Sequence, residues 1–194
     1  MAIAAIFTFA LLSFTKGQTA YTIHSKVKDF TLENVDGKKV SLSSYNNAKG
    51  YIVVFTCNHC PYSKLYESRI MELDKKYTSL GFPVLAISSN DHPEDTFDKM
   101  KALAHDKGYS FPYLYDGTQE VAKAFGAKKT PHVYVLKKDH SDITVEYIGA
   151  IDDNPRDEND VHKNYVGNAV DELLAGKSVS KTNTIAIGCG IKWK

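Results

Sequence analysis

Hydrophobic positions along the chain switch between two periods and so mark out strands and helices in turn. Phe30-Thr31-Leu32 and Val40-Ser41-Leu42 flank Asp36-Gly37, a strong turn signal, and predict a hairpin. Tyr51 to Phe55 is a continuous β-branched and aromatic run, the pattern of a central strand covered on both faces. Beyond it, Leu65, Ile70, Leu73, Tyr77 and Leu80 recur at spacings that predict one apolar helix face, ended at Gly81. Pro83 to Ser89 is the next predicted strand. Pro93-Glu94-Asp95 opens a second helix, with proline and acids in its first turn. Phe111 to Tyr115 predicts a short strand, and Gln119 to Phe125 a short helix closed by Gly126. His132 to Leu136 and Ile143 to Ile148 pair as a hairpin, and Val161 to Leu174 is the last helix.

Strands alternating with helices, then a closing hairpin and helix, predict an α/β fold. Its mixed central sheet is flanked by helices, with an N-terminal hairpin and a C-terminal tail. The expected organisation is one domain over 21–176, with a tail over 177–194 that lacks periodicity and packs on the domain.

Composition narrows the function. The chain has 194 residues, a formal charge of +1, 43% hydrophobic residues and 24% charged residues. This is an ordinary globular balance, and it offers no basic surface for nucleic acid or anionic lipid. Ala2 to Phe14 is apolar apart from Thr8 and Ser13, too short to span a bilayer. Small and polar residues follow up to Ala20. Residues 1–20 therefore read as a signal peptide, although no Lys or Arg precedes the apolar run. The expectation is an exported monomer, periplasmic or secreted, and cytoplasmic if the segment is not cleaved.

The candidate chemistry lies in three cysteines: Cys57, Cys60 and Cys189. An odd number argues against a purely structural disulfide framework. Cys57 and Cys60 follow a strand and start a helix. Helix N-terminal N–H groups would favour a Cys57 thiolate and lower its pKa, and Cys60 points back towards Cys57. Asn58 and His59 lie between the sulfurs and Pro61 follows them; all three would tune the pair. Pro61 suits a first helical turn. A static disulfide, or a zinc half-site completed by Cys189 and His132, remains an alternative.

The chain resembles the thioredoxin superfamily, in its redoxin branch of thioredoxin-like and peroxiredoxin-like proteins. The match rests on Cys57-Asn58-His59-Cys60-Pro61-Tyr62, Val121 to Gly126 followed by Thr130-Pro131, Gly149 to Asp153, and Gly188-Cys189-Gly190-Ile191-Lys192-Trp193. The resemblance implies a thioredoxin-like fold. It makes Cys57 the exposed attacking thiolate, Cys60 the buried resolving thiol and Pro131 a cis-proline against the disulfide. The Thr130 backbone would pair with an extended substrate, and Gly149 and Ala150 would form a flat docking patch. It also makes 90–115 an inserted helix and strand.

Departures from the family qualify these roles. Thr56 stands where thioredoxins carry Trp, and Tyr51 where they bury a carboxylate; Asp152, Asp153 or water would have to replace that base. His59 replaces the proline of reducing thioredoxins and points to a more oxidising couple. Val54 removes the Thr-x-x-Cys signature of peroxiredoxins, and Arg69 and Arg156 are the only arginines. The reading is a thiol–disulfide oxidoreductase that works through a Cys57–Cys60 couple without metal or organic cofactor. Its partners are disulfide- or thiol-containing proteins and an upstream thiol reductant or oxidant. The alternatives are a thiol-dependent antioxidant peroxidase using Cys57 and a Cys/His metal-binding module. Cys189 is either a third redox thiol or a buried free cysteine. Trp193 would pin the tail, and the acidic stretch from Asp152 to Asp160 reads as a solvated loop rather than a calcium site.

Overall fold

The computed structural model describes residues 20–194; the segment 1–20 expected to be a signal peptide lies outside them, except for Ala20. A seven-stranded mixed sheet has the order β2-β1-β5-β4-β3-β7-β8. The strands are β1 (Thr31–Asn34), β2 (Lys39–Ser41), β3 (Gly50–Phe55), β4 (Val84–Ser88), β5 (Tyr113–Tyr115), β7 (His132–Asp139) and β8 (Asp142–Gly149). Two further short strands, β6 (Lys129–Thr130) and β9 (Cys189–Gly190), pair outside that sheet. The helices are α1 (Pro61–Leu65), α2 (Glu67–Tyr77), α3 (Phe97–Lys107), α4 (Glu120–Phe125) and α5 (Tyr165–Leu174). This is the predicted α/β architecture. Among the described residues, no helix is long and apolar enough to cross a membrane.

The central strand explains the layers. β3 runs parallel to β4 and antiparallel to β7, and all six of its residues are buried. Because side chains alternate, Ile52 and Val54 enter a core with Tyr66, Ile70, Leu73 and Tyr77. Tyr51, Val53 and Phe55 enter a second core with Leu114, Ala122 and Phe125. Both faces are therefore covered, which is why the run is continuously apolar.

Three predicted helices differ in detail. The first breaks at Tyr66, whose buried ring carries the Arg69 guanidinium 4.2 Å above it. Leu65 and Leu80 fall outside the regular turns of α2 and are 46% and 44% exposed, so neither belongs to the apolar face. The second begins at Phe97, because Pro93–Asp95 forms a separate 3-10 turn. The last begins at Tyr165, where the Asn164 side chain accepts the Gly167 N–H at 2.8 Å and caps it.

The tail is closely anchored. Thr184 N–H donates to Ile148 O at 3.0 Å on β8. Further on, β9 pairs antiparallel with β6, with Thr130 opposite Cys189 and Lys129 opposite Gly190. Ile191 is 6% exposed within the second core. Gln119 donates to Lys192 O at 2.8 Å and accepts from Lys194 N–H at 2.9 Å. Asn90 Oδ1 accepts from Lys192 N–H at 2.9 Å.

Candidate active site

The end of β3 delivers Cys57 to the start of α1. Cys60 is the residue before that helix, and Pro61 fills its first position, where no N–H is needed. The Thr130–Pro131 peptide bond is cis. Thr130 touches both sulfurs: its hydroxyl lies 3.2 Å from Cys57 Sγ, and its carbonyl oxygen 3.2 Å from Cys60 Sγ. Ser63 Oγ stands 3.8 Å from Cys57 Sγ on the other side.

The disulfide is not the one the spacing suggests. Cys60 is bonded to Cys189, with Cα atoms 6.0 Å apart across a sequence separation of 129, and Cys57 is free. The physical reason is the β6–β9 pairing, which seats Cys189 opposite Thr130, against the carbonyl that Cys60 already contacts. Cys57 is also not exposed in this form, at 3% accessibility. Its thiol is correspondingly pushed up rather than down. Burial is the main cause, with the nearby Asp95 charge adding to it, while hydrogen bonds from the Thr130 and Ser63 hydroxyls and the Cys60 N–H oppose it.

The tail also covers the surfaces expected to face a substrate. β9 takes the backbone edge at Thr130. Thr184 Oγ1 accepts the Ala150 N–H at 2.9 Å and would collide with any Cβ on Gly149. Gly188 packs so closely on Thr130 O and Pro131 N that no side chain fits there.

A buried carboxylate that sequence reasoning treated as a helix-start acid organises the cysteine loop. Asp95 is 1% exposed, and both of its oxygens are occupied. Oδ1 accepts the backbone N–H groups of Asn58 at 2.7 Å and His59 at 3.2 Å. Oδ2 accepts His59 Nδ1–H at 2.5 Å and Asn90 Nδ2–H at 3.1 Å. The His59 ring stacks on His92 with centroids 3.9 Å apart. Asn58 accepts from the Tyr113 hydroxyl at 2.8 Å and donates to Glu94 O at 3.0 Å. The one sequence signal for Asp95 was an acid two residues after a proline, which is also what an ordinary capping residue looks like.

Ligand atoms of Cys57, His59 and Asp95 lie within 4.8 Å of one another. That is a spacing at which a metal could be considered. The four N–H donors on Asp95 use the lone-pair directions a cation would need, which argues against metal ligation there. The other proposed replacements for a buried base are committed elsewhere. Asp152 pairs with Arg69 at 2.6 Å and accepts the Tyr66 hydroxyl at 2.9 Å, while Asp153 accepts the His162 and Lys163 N–H groups, both at 3.0 Å. Tyr51 donates its hydroxyl to Leu42 O at 2.7 Å, and burial pushes its pKa up to about 12.

Comparisons with known proteins agree with this architecture. An uncharacterised conserved protein of Geobacillus kaustophilus superposes with a TM-score of 0.81 at 38% identity, covering 90% of this chain and 93% of that one. A Mycobacterium tuberculosis protein whose name places it among the peroxiredoxins is 28% identical over 116 residues, 60% of this chain and 71% of the relative. The thiol-disulfide oxidoreductase ResA of Geobacillus thermodenitrificans is 25% identical over 126 residues, 65% of this chain and 70% of the relative. The profile described as the AhpC/TSA family matches residues 23–147, and the chain belongs to that family of redoxins.

Proposed function

We propose that the protein is a thiol–disulfide oxidoreductase that exchanges disulfides with partner proteins, with Cys57 as the attacking thiol and Cys60 as the resolving thiol. The observation that carries this reading is the convergence of both sulfurs on Thr130 beside a cis-proline, each at 3.2 Å. Burial raises the pKa of the Cys57 thiol, so attack needs a base, and a ring nitrogen of His59 lies within 4.8 Å of its sulfur. The Cys57 thiolate attacks a partner disulfide, forms a mixed disulfide and releases one partner thiolate. The Cys60 thiolate then attacks Cys57 Sγ and releases the second. Relatives named for disulfide and peroxide chemistry support a thiol-based reaction. The apolar run from Ala2 to Phe14 supports action outside the cytoplasm. Cys57→Ser abolishes insulin disulfide reduction on this reading, and Cys60→Ser accumulates mixed disulfides; full activity in Cys57→Ser would remove it.

A second reading, thiol peroxidase, has one observation in its favour. Thr130 places a hydroxyl 3.2 Å from Cys57 Sγ, where Val54 cannot supply one. No arginine is free to polarise a peroxide beside it: Arg69 is bound to Asp152 and Arg156 lies exposed in a loop. Peroxide consumption with a thiol donor separates the two readings.

A further inference from the structure

We infer that Cys189 is a catalytic thiol of this site, taking Cys60 over from a Cys57–Cys60 disulfide and returning Cys57 to its thiol form. The inference rests on the exchange reading above and adds a third step to it. Three sulfurs meet at one residue: Cys57 at the Thr130 hydroxyl, Cys60 at the Thr130 carbonyl, and Cys189 opposite Thr130 in the β6–β9 pairing. Cys60 is the middle member, bonded to Cys189 here and three residues from Cys57.

Several buried groups hold the tail in place for this step. Gln119 is 1% exposed, has a backbone φ of 63°, and spends its amide on Ser89 O, Lys192 O and the Lys194 N–H. Asn90, 6% exposed, accepts the Lys192 N–H with one end and donates to Asp95 with the other. The tail, Asp95 and the His59-containing loop are thus one hydrogen-bonded unit.

The step balances without any added oxidant. The Cys189 thiolate attacks Cys60 Sγ, the Cys60–Cys189 bond forms, the Cys57–Cys60 bond breaks, and Cys57 leaves as a thiolate. The proton lost by Cys189 is replaced by one taken up at Cys57. Burial favours the protonated form of Cys57, which draws the exchange towards the arrangement seen here.

The test follows the disulfide through time. Fully reduced, full-length protein is mixed with one equivalent of a peptide disulfide, quenched in acid at intervals, alkylated with N-ethylmaleimide and mapped by mass spectrometry of its peptides. Cys57–Cys60 is expected to appear first and decay as Cys60–Cys189 grows, leaving the alkyl group on Cys57. Cys189→Ser is expected to stop at Cys57–Cys60, and Cys57→Ser to form Cys60–Cys189 at least tenfold more slowly. A wild-type endpoint of Cys57–Cys60 with Cys189 alkylated overturns the transfer and leaves the exchange reading standing. Formation of Cys60–Cys189 at the wild-type rate in Cys57→Ser also overturns it, because that bond would then be a static staple. Undiminished insulin reduction by Cys57→Ser would instead remove the exchange reading itself.

Discussion

The cysteine loop and the C-terminal tail meet at the same three sulfurs, but they are held in different ways. The loop is fixed by one fully buried charge: Asp95 gathers two backbone N–H groups, an imidazole and an amide around a single carboxylate. The tail is fixed by the Cys60–Cys189 disulfide, by neutral hydrogen bonds to Gln119 and Asn90, by a two-residue strand pairing and by the buried Val179 and Ile191. Removing a buried charge from its donors, or the donors from it, is costly, whereas neutral bonds can exchange with water at modest net cost. The difference suits a site in which the loop keeps its geometry while the tail is released once the Cys60–Cys189 bond is reduced.

The largest effect should therefore come from the loop side. Asp95→Ala strands the N–H groups of Asn58 and His59 in a buried pocket and should cost about 3 to 5 kcal/mol in urea unfolding. Asp95→Asn is the milder probe. It removes a negative charge that pushes the Cys57 thiol up, so the pH profile of Cys57 alkylation in the reduced protein should move to lower pH. An unchanged profile would mean that the carboxylate only shapes the loop.

The tail should respond more weakly and separately. Gln119→Asn tolerates the positive φ but cannot reach Lys192 and Lys194, and leaves the buried Ser89 carbonyl without its donor. A loss of about 2 to 3 kcal/mol is expected, with faster limited proteolysis of the tail and no shift in the Cys57 alkylation profile. Asn90→Ala touches both partners, so it should both loosen the tail and disturb the loop. If Asn90→Ala and Gln119→Asn behaved alike, the tail and the loop would not be coupled through Asn90.

The two regions also differed in how far the sequence revealed them. The loop was largely legible because its parts are local: a buried strand, two cysteines at a helix start and a proline after the second. Thr130-Pro131 was found through resemblance. Asp95 was missed because its partners are 36 and 37 residues away and its local setting is that of a capping acid. The tail was illegible for another reason. A two-residue strand leaves no periodicity, and the partner of Cys189 lies 129 residues back, chosen by tertiary placement. The short Cys57–Cys60 spacing pointed to the nearer pairing, whereas the structure holds Cys60 on Cys189 through the β6–β9 contact. Leu65 and Leu80 failed because their apolar spacing ran across a break in the helix.

The smallest effect concerns the strand that follows the cis-proline. His132 begins β7, and its Nδ1 accepts the Lys128 N–H at 3.4 Å. Burial, aided by the Lys128 charge, lowers its pKa from 6.5 to about 4. The folded state therefore favours the neutral ring more than the unfolded state does. Its contribution is complete above the unfolded value and is lost as pH falls from about 6.5 towards 4, below which it changes no further. The partly exposed ring should make this loss about 1 to 2 kcal/mol. Thermal melts between pH 7.5 and 4 should show a smaller decline in His132→Gln, whose amide can still accept from Lys128. Mapping the disulfide at both ends of the range shows whether the tail or the loop responds to the charge on His132. Since Lys128 O also accepts the Ile191 N–H, charging His132 should loosen the tail's hold before it disturbs the Asp95 loop. A Cys60–Cys189 bond that reduces faster at pH 5 than its Cys57 environment would predict, and no longer does so in His132→Gln, would place that histidine on the tail's side of the site.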